Sequence, residues 1–140
     1  MKAMAPAGQE VMLKRAETVT SSGLSSIVSV VAASATSAET KRSSPLSLAL
    51  IRALVLGTKP EGYAAACRAL ASGTNPDFSA INAEVLVLGG AEDYLSSPEL
   101  ISGLAEAIPK ARTKELAGVG HWHAVEAPKE VAEQLDEFLL

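Results

Sequence analysis

Few side chains in this sequence are able to do chemistry, and two of them sit in short glycine-bearing segments. Asp93 closes Gly90-Ala91-Glu92-Asp93, and His121 follows Gly118-Val119-Gly120. A carboxylate bonded to one imidazole nitrogen fixes the tautomer and steadies the imidazolium. The other nitrogen is then free to take a proton from a nucleophile. Glycines permit the tight turns that hold such loops close to a reacting centre. A His-x-His pair such as His121 and His123 can also hold a metal from one side. No third ligand with suitable spacing accompanies them, so no metal and no other cofactor is expected. Trp122, between the two histidines, either lines a substrate pocket or packs as a core aromatic. The one cysteine, Cys67, lies in Tyr63-Ala64-Ala65-Ala66-Cys67-Arg68 without flanking glycines and reads as a small core residue.

For Asp93 and His121 to meet, two loops must open on one edge of a sheet. In an open α/β sheet, reactive groups gather beyond the C-terminal ends of the strands. The apolar run Glu84-Val85-Leu86-Val87-Leu88, ending in Gly89-Gly90, predicts a strand buried on both faces of a parallel sheet. Ser97-Pro98 opens a helix whose Leu100, Ile101, Leu104 and Ile108 face one way. Arg112 to Ala117 predicts a second, more polar strand. A last helix runs from Pro128, with Val131, Leu135, Phe138 and Leu139 on its apolar face. The order strand, helix, strand, helix defines an α/β sheet.

The chain before Gly73-Thr74-Asn75-Pro76 reads differently, as four helices. One covers Gln9 to Val19. The second starts at Leu24, with Leu24, Ile27, Val28 and Val31 at the i, i+3, i+4, i+7 spacing of one face. The third begins at Ser44-Pro45, a capping residue and a proline at the first helical position, and Gly57 stops it. Its stripe is Leu46, Leu50 and Leu54. The fourth runs from Pro60 to Gly73 with Tyr63, Ala66, Cys67 and Leu70 on one face. Thr36 to Ser44, rich in small polar residues, is expected to be a flexible connection.

Composition narrows the class of function. The 140 residues are 48% apolar, enough for a core, and carry a formal net charge of -4 with the charges scattered. No basic run marks a nucleic-acid or membrane surface, and at 4% aromatic the chain offers little for stacking bases. A lone cysteine forms no internal disulfide and suits a reducing compartment, so a cytoplasmic location is expected. The start, Met1-Lys2-Ala3-Met4-Ala5-Pro6, lacks the apolar stretch of a secretory signal. No apolar run approaches the roughly 20 residues of a membrane span.

From Ile81 to Leu140 the sequence resembles the C-terminal end of the α/β-hydrolase family. The resemblance rests on the apolar strand Val85 to Leu88, Gly90 to Asp93 as Gly-x-x-Asp, Pro98 at a helix start, and Ile108-Pro109. Gly120-His121, then Pro128 and Phe138-Leu139 around the last helix, complete the order. Arg52-Ala53-Leu54-Val55-Leu56-Gly57, Pro60-Glu61-Gly62-Tyr63-Ala64 and Cys67-Arg68-Ala69-Leu70 are similar to the helical lid of 3-oxoadipate enol-lactonases and their relatives. The Gly120-His121-Trp122 turn is similar to theirs as well. The resemblance implies the C-terminal part of an α/β-hydrolase sheet preceded by a four-helix lid, an incomplete fold with residues 1–75 as lid and 76–140 as core. It further implies Asp93 as triad acid in preference to Glu92, His121 as triad base, Trp122 as a lining residue, and His123 as a surface or lid-contacting residue. The implied reaction is hydrolysis of a carboxylic ester or lactone, the enol-lactone of 3-oxoadipate among the candidates.

The family's nucleophile stands in Gly-x-Ser-x-Gly, on a sharp turn between strand and helix. No serine here has glycine two residues before and two after it. The serine and the oxyanion hole are therefore expected upstream of Met1, and the chain alone is expected to be inactive. Losing a triad serine costs on the order of 10⁶ in turnover, and losing the oxyanion hole about another 10². Two strands without neighbours leave unpaired edges, so an aggregating or oligomeric product is expected. Its partners would be a small-molecule ester or lactone, and either the missing N-terminal half or further copies of the chain. The competing expectations are a non-catalytic remnant that binds or regulates, and another chemistry that the fold hosts, such as haloperoxidase or C–C hydrolase activity.

Overall fold

From Pro6 to Ser72 the chain is built of helices in the computed structural model, which describes residues 4–140. Helix α1 (Pro6–Ser22) starts on a proline and ends at Gly23, whose positive φ of 73° suits a residue without a Cβ. A 3₁₀ turn, Leu24–Ser26, leads into α2 (Val28–Ser34). Helices α3 (Ala38–Ser43), α4 (Pro45–Leu56) and α5 (Pro60–Ser72) follow. Met1 to Ala3, where the expected helical unit begins, lie outside the described residues.

Three details differ from the sequence reading. The expected second helix is split, because Ser26 turns its hydroxyl onto the Gly23 carbonyl at 2.6 Å and holds a 3₁₀ turn instead. Thr36 to Ser44 is no flexible connection. It contains α3, capped by Ser37, and Thr36, Ser37 and Thr40 are all buried. On α4 the buried residues are Ile51 and Val55, whereas Leu46 is 82% exposed and Leu50 and Leu54 are largely exposed. The Leu46 stripe is helically spaced but lies one position off the face that meets α2.

The helices share two apolar clusters. Val19, Leu24, Ile27, Val28, Val31 and Val55 form one, with Tyr63 and Trp122 packed against it. Met12, Ala16, Ala64, Cys67 and Ala71 form the other, between α1 and α5. Small residues on both helices let the two approach closely. The expected Tyr63, Ala66, Cys67, Leu70 stripe of α5 is divided: Cys67 is buried, Ala66 and Leu70 are exposed, and Ala64 and Ala71 carry the packing.

After a 3₁₀ turn, Phe78–Ala80, the chain alternates: β1 (Val85–Gly90), α6 (Pro98–Ala107), β2 (Ala111–Leu116), a short α7 (His123–Glu126) and α8 (Pro128–Leu139). Strands β1 and β2 pair in parallel, with Val85 opposite Ala111 and Gly90 opposite Leu116. Parallel pairing requires a crossover, and α6 supplies it. Ser97 caps α6 by accepting the Leu100 N–H. Among the described residues the sheet has these two strands. That explains a further correction: β1 is buried at Val87, Gly89 and Gly90 but half-buried elsewhere, not covered on both faces. Helix α8 has no buried residue. Val131 packs on the small Leu116, Val119 and Ala127 cluster, Phe138 lies beneath the Arg112 guanidinium, and Leu139 is exposed. The chain is thus a helical stretch followed by strand, helix, strand, helix: an incomplete α/β-hydrolase fold.

Candidate active site

Equal strand ends bring the two glycine-bearing loops together. Because Gly90 pairs with Leu116, both strands finish at the same level. Beyond them, Ala91 N–H donates to the Leu116 carbonyl at 2.9 Å and Glu92 N–H to the Val119 carbonyl at 2.9 Å. A Cβ at Gly90 would overlap the carbonyl oxygens of Val119 and Gly120, so the loops approach this closely only with glycine there. Gly118, with φ 69°, turns the second loop back.

Asp93 is 2% exposed, and three groups meet its carboxylate. Oδ1 accepts the N–H of Leu95 at 2.9 Å and of Ser96 at 3.0 Å. Oδ2 lies 2.9 Å from Nδ1 of His121. Burial pushes the Asp93 carboxyl up, but the Ser96 amide, His121 and the Leu95 amide outweigh it and hold the acid below its usual range. An ionised Asp93 accepts, so Nδ1 of His121 donates and Nε2 keeps its lone pair. The His121 side chain is 40% exposed.

The histidine faces a cavity of about 530 Å³. Its walls come mostly from the helices, with Met12, Val31, Val55 and Tyr63 among them, and from Trp122. The exposed members of the α5 stripe, Ala66 and Leu70, line it too, as does Leu54. Those residues are apolar because they face the cavity, not the core. Burial raises the Cys67 thiol despite nearby Arg15, which keeps it protonated and unsuited to act as a nucleophile.

Other expected residues fall elsewhere. Glu92 accepts the Ala38 N–H at 2.7 Å and makes no hydrogen bond to His121. Tyr94 is exposed. His123 is not at the surface: its Nε2 is buried, lies 3.8 Å from Oδ2 of Asp93, and has no hydrogen-bond partner among the described residues. Burial lowers its pKa, with Asp93 opposing. The short helix α7 folds its ring inward beside the acid. Among the described residues no group of three or more histidines, cysteines or carboxylates is arranged to hold a metal. No helix is long and apolar enough to cross a membrane.

Two features went unseen in the sequence. Arg15 on α1 lines the cavity and interacts with the Tyr63 hydroxyl, and among the described residues no carboxylate forms an ion pair with it. Its only sequence signal is a cation within a weakly periodic helix. Glu126 accepts backbone N–H groups from the nearby Gly120 and Trp122 and from the distant Ser37. Its position before Ala127-Pro128 gives no hint of them.

No family model matches the sequence, and no curated protein matches it. Solved structures do. The chain superposes on an esterase from Thermogutta terrifontis, determined with malate bound, at a TM-score of 0.90 and 28% identity, over 99% of this chain and 52% of that one. It superposes on the enol-lactonase of Burkholderia xenovorans LB400 at 0.86 and 29% identity, over 93% of this chain and 50% of that one. MenH of S. aureus matches in fold, at 0.79 and 22% identity, over 97% and 54% of the two chains. The chain therefore spans about half the length of each structure it matches. These likenesses, with the element order, show that the chain has part of the α/β-hydrolase fold. Within that class, the likeness that goes beyond fold is to the esterase and the enol-lactonase.

Proposed function

We propose that this chain is the acid–base and lid portion of a hydrolase acting on a carboxylic ester or lactone. The observation that carries the reading is the Asp93–His121 hydrogen bond at the wall of an apolar cavity. In this reading Asp93 fixes the tautomer, and Nε2 of His121 takes the proton of an attacking hydroxyl and returns it to the leaving alkoxide. Residues 1–75 act as the lid that shapes the acyl pocket, 76–140 belong to the core, and Trp122 lines the pocket. No Gly-x-Ser-x-Gly occurs in the 140 residues, so the nucleophile and oxyanion hole come from chain outside them, on the same polypeptide or another. The open strand edges and the exposed leucines of α4 are surfaces that such a half, or another copy, would cover. The lone cysteine fits a cytoplasmic setting.

Arg15 sharpens the substrate. A cation on an apolar wall, without a carboxylate partner among the described residues, favours a substrate that carries its own carboxylate. The enol-lactone of 3-oxoadipate has that character, and the likeness to an enol-lactonase supports it.

The test joins this chain to a first half carrying Gly-x-Ser-x-Gly. Fluorophosphonate labelling of the serine reports that the site has assembled, and p-nitrophenyl acetate hydrolysis reports turnover. The expected result is saturable turnover that His121→Ala abolishes, with none from the 140 residues alone. Turnover by the isolated chain, or a labelled assembly indifferent to His121→Ala, would overturn the proposal.

A further inference from the structure

The His121 loop is built on a second carboxylate. Residues 120 to 122 are followed by one helical turn, α7, which returns Glu126 beneath the loop that precedes it. Oε2 of Glu126 accepts the N–H of Gly120 at 3.2 Å and of Ser37 at 2.8 Å. Oε1 accepts the N–H of Trp122 at 3.1 Å. Between those two loop amides, His121 N–H donates to the Ala35 carbonyl at 2.9 Å. Three consecutive amides around the imidazole are thus tied down, two to Glu126 and one to the segment that Glu126 also grips through Ser37. Gly120 makes this possible: a Cβ there would sit 2.7 Å from Ser37 N and 2.9 Å from Oε1 of Glu126.

The arrangement is specific to an ionised carboxylate. Three N–H donors, from Ser37, Gly120 and Trp122, converge on its two oxygens. An ionised carboxylate offers only acceptor sites and accepts several N–H groups at once, whereas an amide presents a donor on one side. Burial raises the Glu126 carboxyl, and the amides of Ser37 and Gly120 with the hydroxyls of Thr40 and Ser37 overcome this and leave it below the usual range.

We propose that Glu126 is the positioning residue of His121: it clamps the Gly120–Trp122 loop to the Ala35–Ser37 segment and thereby sets the imidazole on Asp93. The catalytic role of His121 rests on the function proposed above, whereas the clamp does not. Glu126 makes no side-chain hydrogen bond to Asp93 or His121 and acts on the loop through its backbone amides. Glu92 provides the contrast, since it grips the adjoining Ala38 amide but makes no side-chain bond to the His121 loop.

The experiment uses the 140-residue chain labelled with ¹⁵N. Two signals are read: the downfield Nδ1 proton of His121 bonded to Asp93, assigned by its loss in Asp93→Asn, and hydrogen exchange of the Gly120, His121 and Trp122 amides. In Glu126→Gln the Nδ1 proton is expected to vanish. Exchange of the three amides is expected to quicken on the order of tenfold, the worth of one charge-assisted hydrogen bond. Glu92→Gln is expected to leave both signals in place, which a merely structural role for the seam would not allow. Retention of both signals in Glu126→Gln, or their equal loss in Glu92→Gln, overturns the proposal. Absence of the Nδ1 proton in the wild-type chain counts against the acid–base reading only, and amide exchange still decides the clamp. Should Glu126→Gln not fold, titration of the wild-type chain decides. The Ser37, Gly120 and Trp122 amide shifts are expected to move together at one pH below the usual glutamate range, apart from any step due to nearby His123. Independent movement of the three overturns the clamp.

Discussion

Asp93 is buried yet ionised, and its neighbours explain why. Two amides of its own loop and one imidazole nitrogen satisfy it, so the acid orients His121 without itself needing a proton. An asparagine at this position keeps one acceptor oxygen for the Leu95 and Ser96 amides but offers His121 either a donor or nothing. Asp93→Asn is therefore expected to leave the loop folded and to reverse the His121 tautomer. In a hydrolase completed with a nucleophile, kcat should fall by about 10⁴. A fall of less than tenfold with serine labelling intact would remove Asp93 from the acid role. That Asp93 and His121 stand in loops at strand ends was readable from sequence, because the glycines beside them mark such loops. The inward position of His123 was not, since helix α7 is only four residues long and leaves no periodic signal.

At the scale of elements, the strands were readable and the helix faces only partly so. The apolar run of β1 and the parallel order follow from composition and spacing. A helix stripe, by contrast, says which residues are apolar but not what they meet. On α5, Ala66 and Leu70 face a cavity that Leu54 of α4 also lines, whereas Leu46 and Leu50 are exposed beside the buried Ile51 and Val55. The segment at Ser37 shows the opposite error. It looks like a linker, yet Ser37 is 0% exposed and caps α3. Gly90 packs directly against the backbone of Val119 and Gly120. Gly90→Ala is expected to destabilise the chain by on the order of 2–3 kcal/mol, because backbone rather than a flexible side chain must move. Urea unfolding measures this, and a change under about 0.5 kcal/mol would show that the loops do not pack as described.

For the whole molecule, three buried or half-buried groups make stability depend on pH in the same direction. Burial lowers the pKa of His123, so the unfolded chain binds the extra proton first, and stability falls as pH drops below about 6.5. Asp93 and Glu126 have lowered values in the folded chain despite burial, because hydrogen bonds favour their charged forms. Their contribution is present above the usual carboxylate range, about 4, and is lost as pH falls through the lower folded values. Urea midpoints at pH 7, 5.5 and 3.5 are therefore expected to decline in two stages, with His123→Gln flattening the upper one. A midpoint constant from pH 7 to 5.5 in the wild-type chain would place His123 in solvent.

The sequence by itself determined the alternation of strands and long helices in the second half and the two residues at the strand ends, because these depend on local periodicity and turn chemistry. It also determined that no serine stands in the expected turn. Only the tertiary structure decided that Asp93 and His121 touch, that Arg15 lines the cavity beside them, and that Glu126 holds the histidine loop to Ser37. Those contacts join residues tens of positions apart. They arise from strand register and from backbone amides, and neither leaves a mark on the spacing of side chains along the chain.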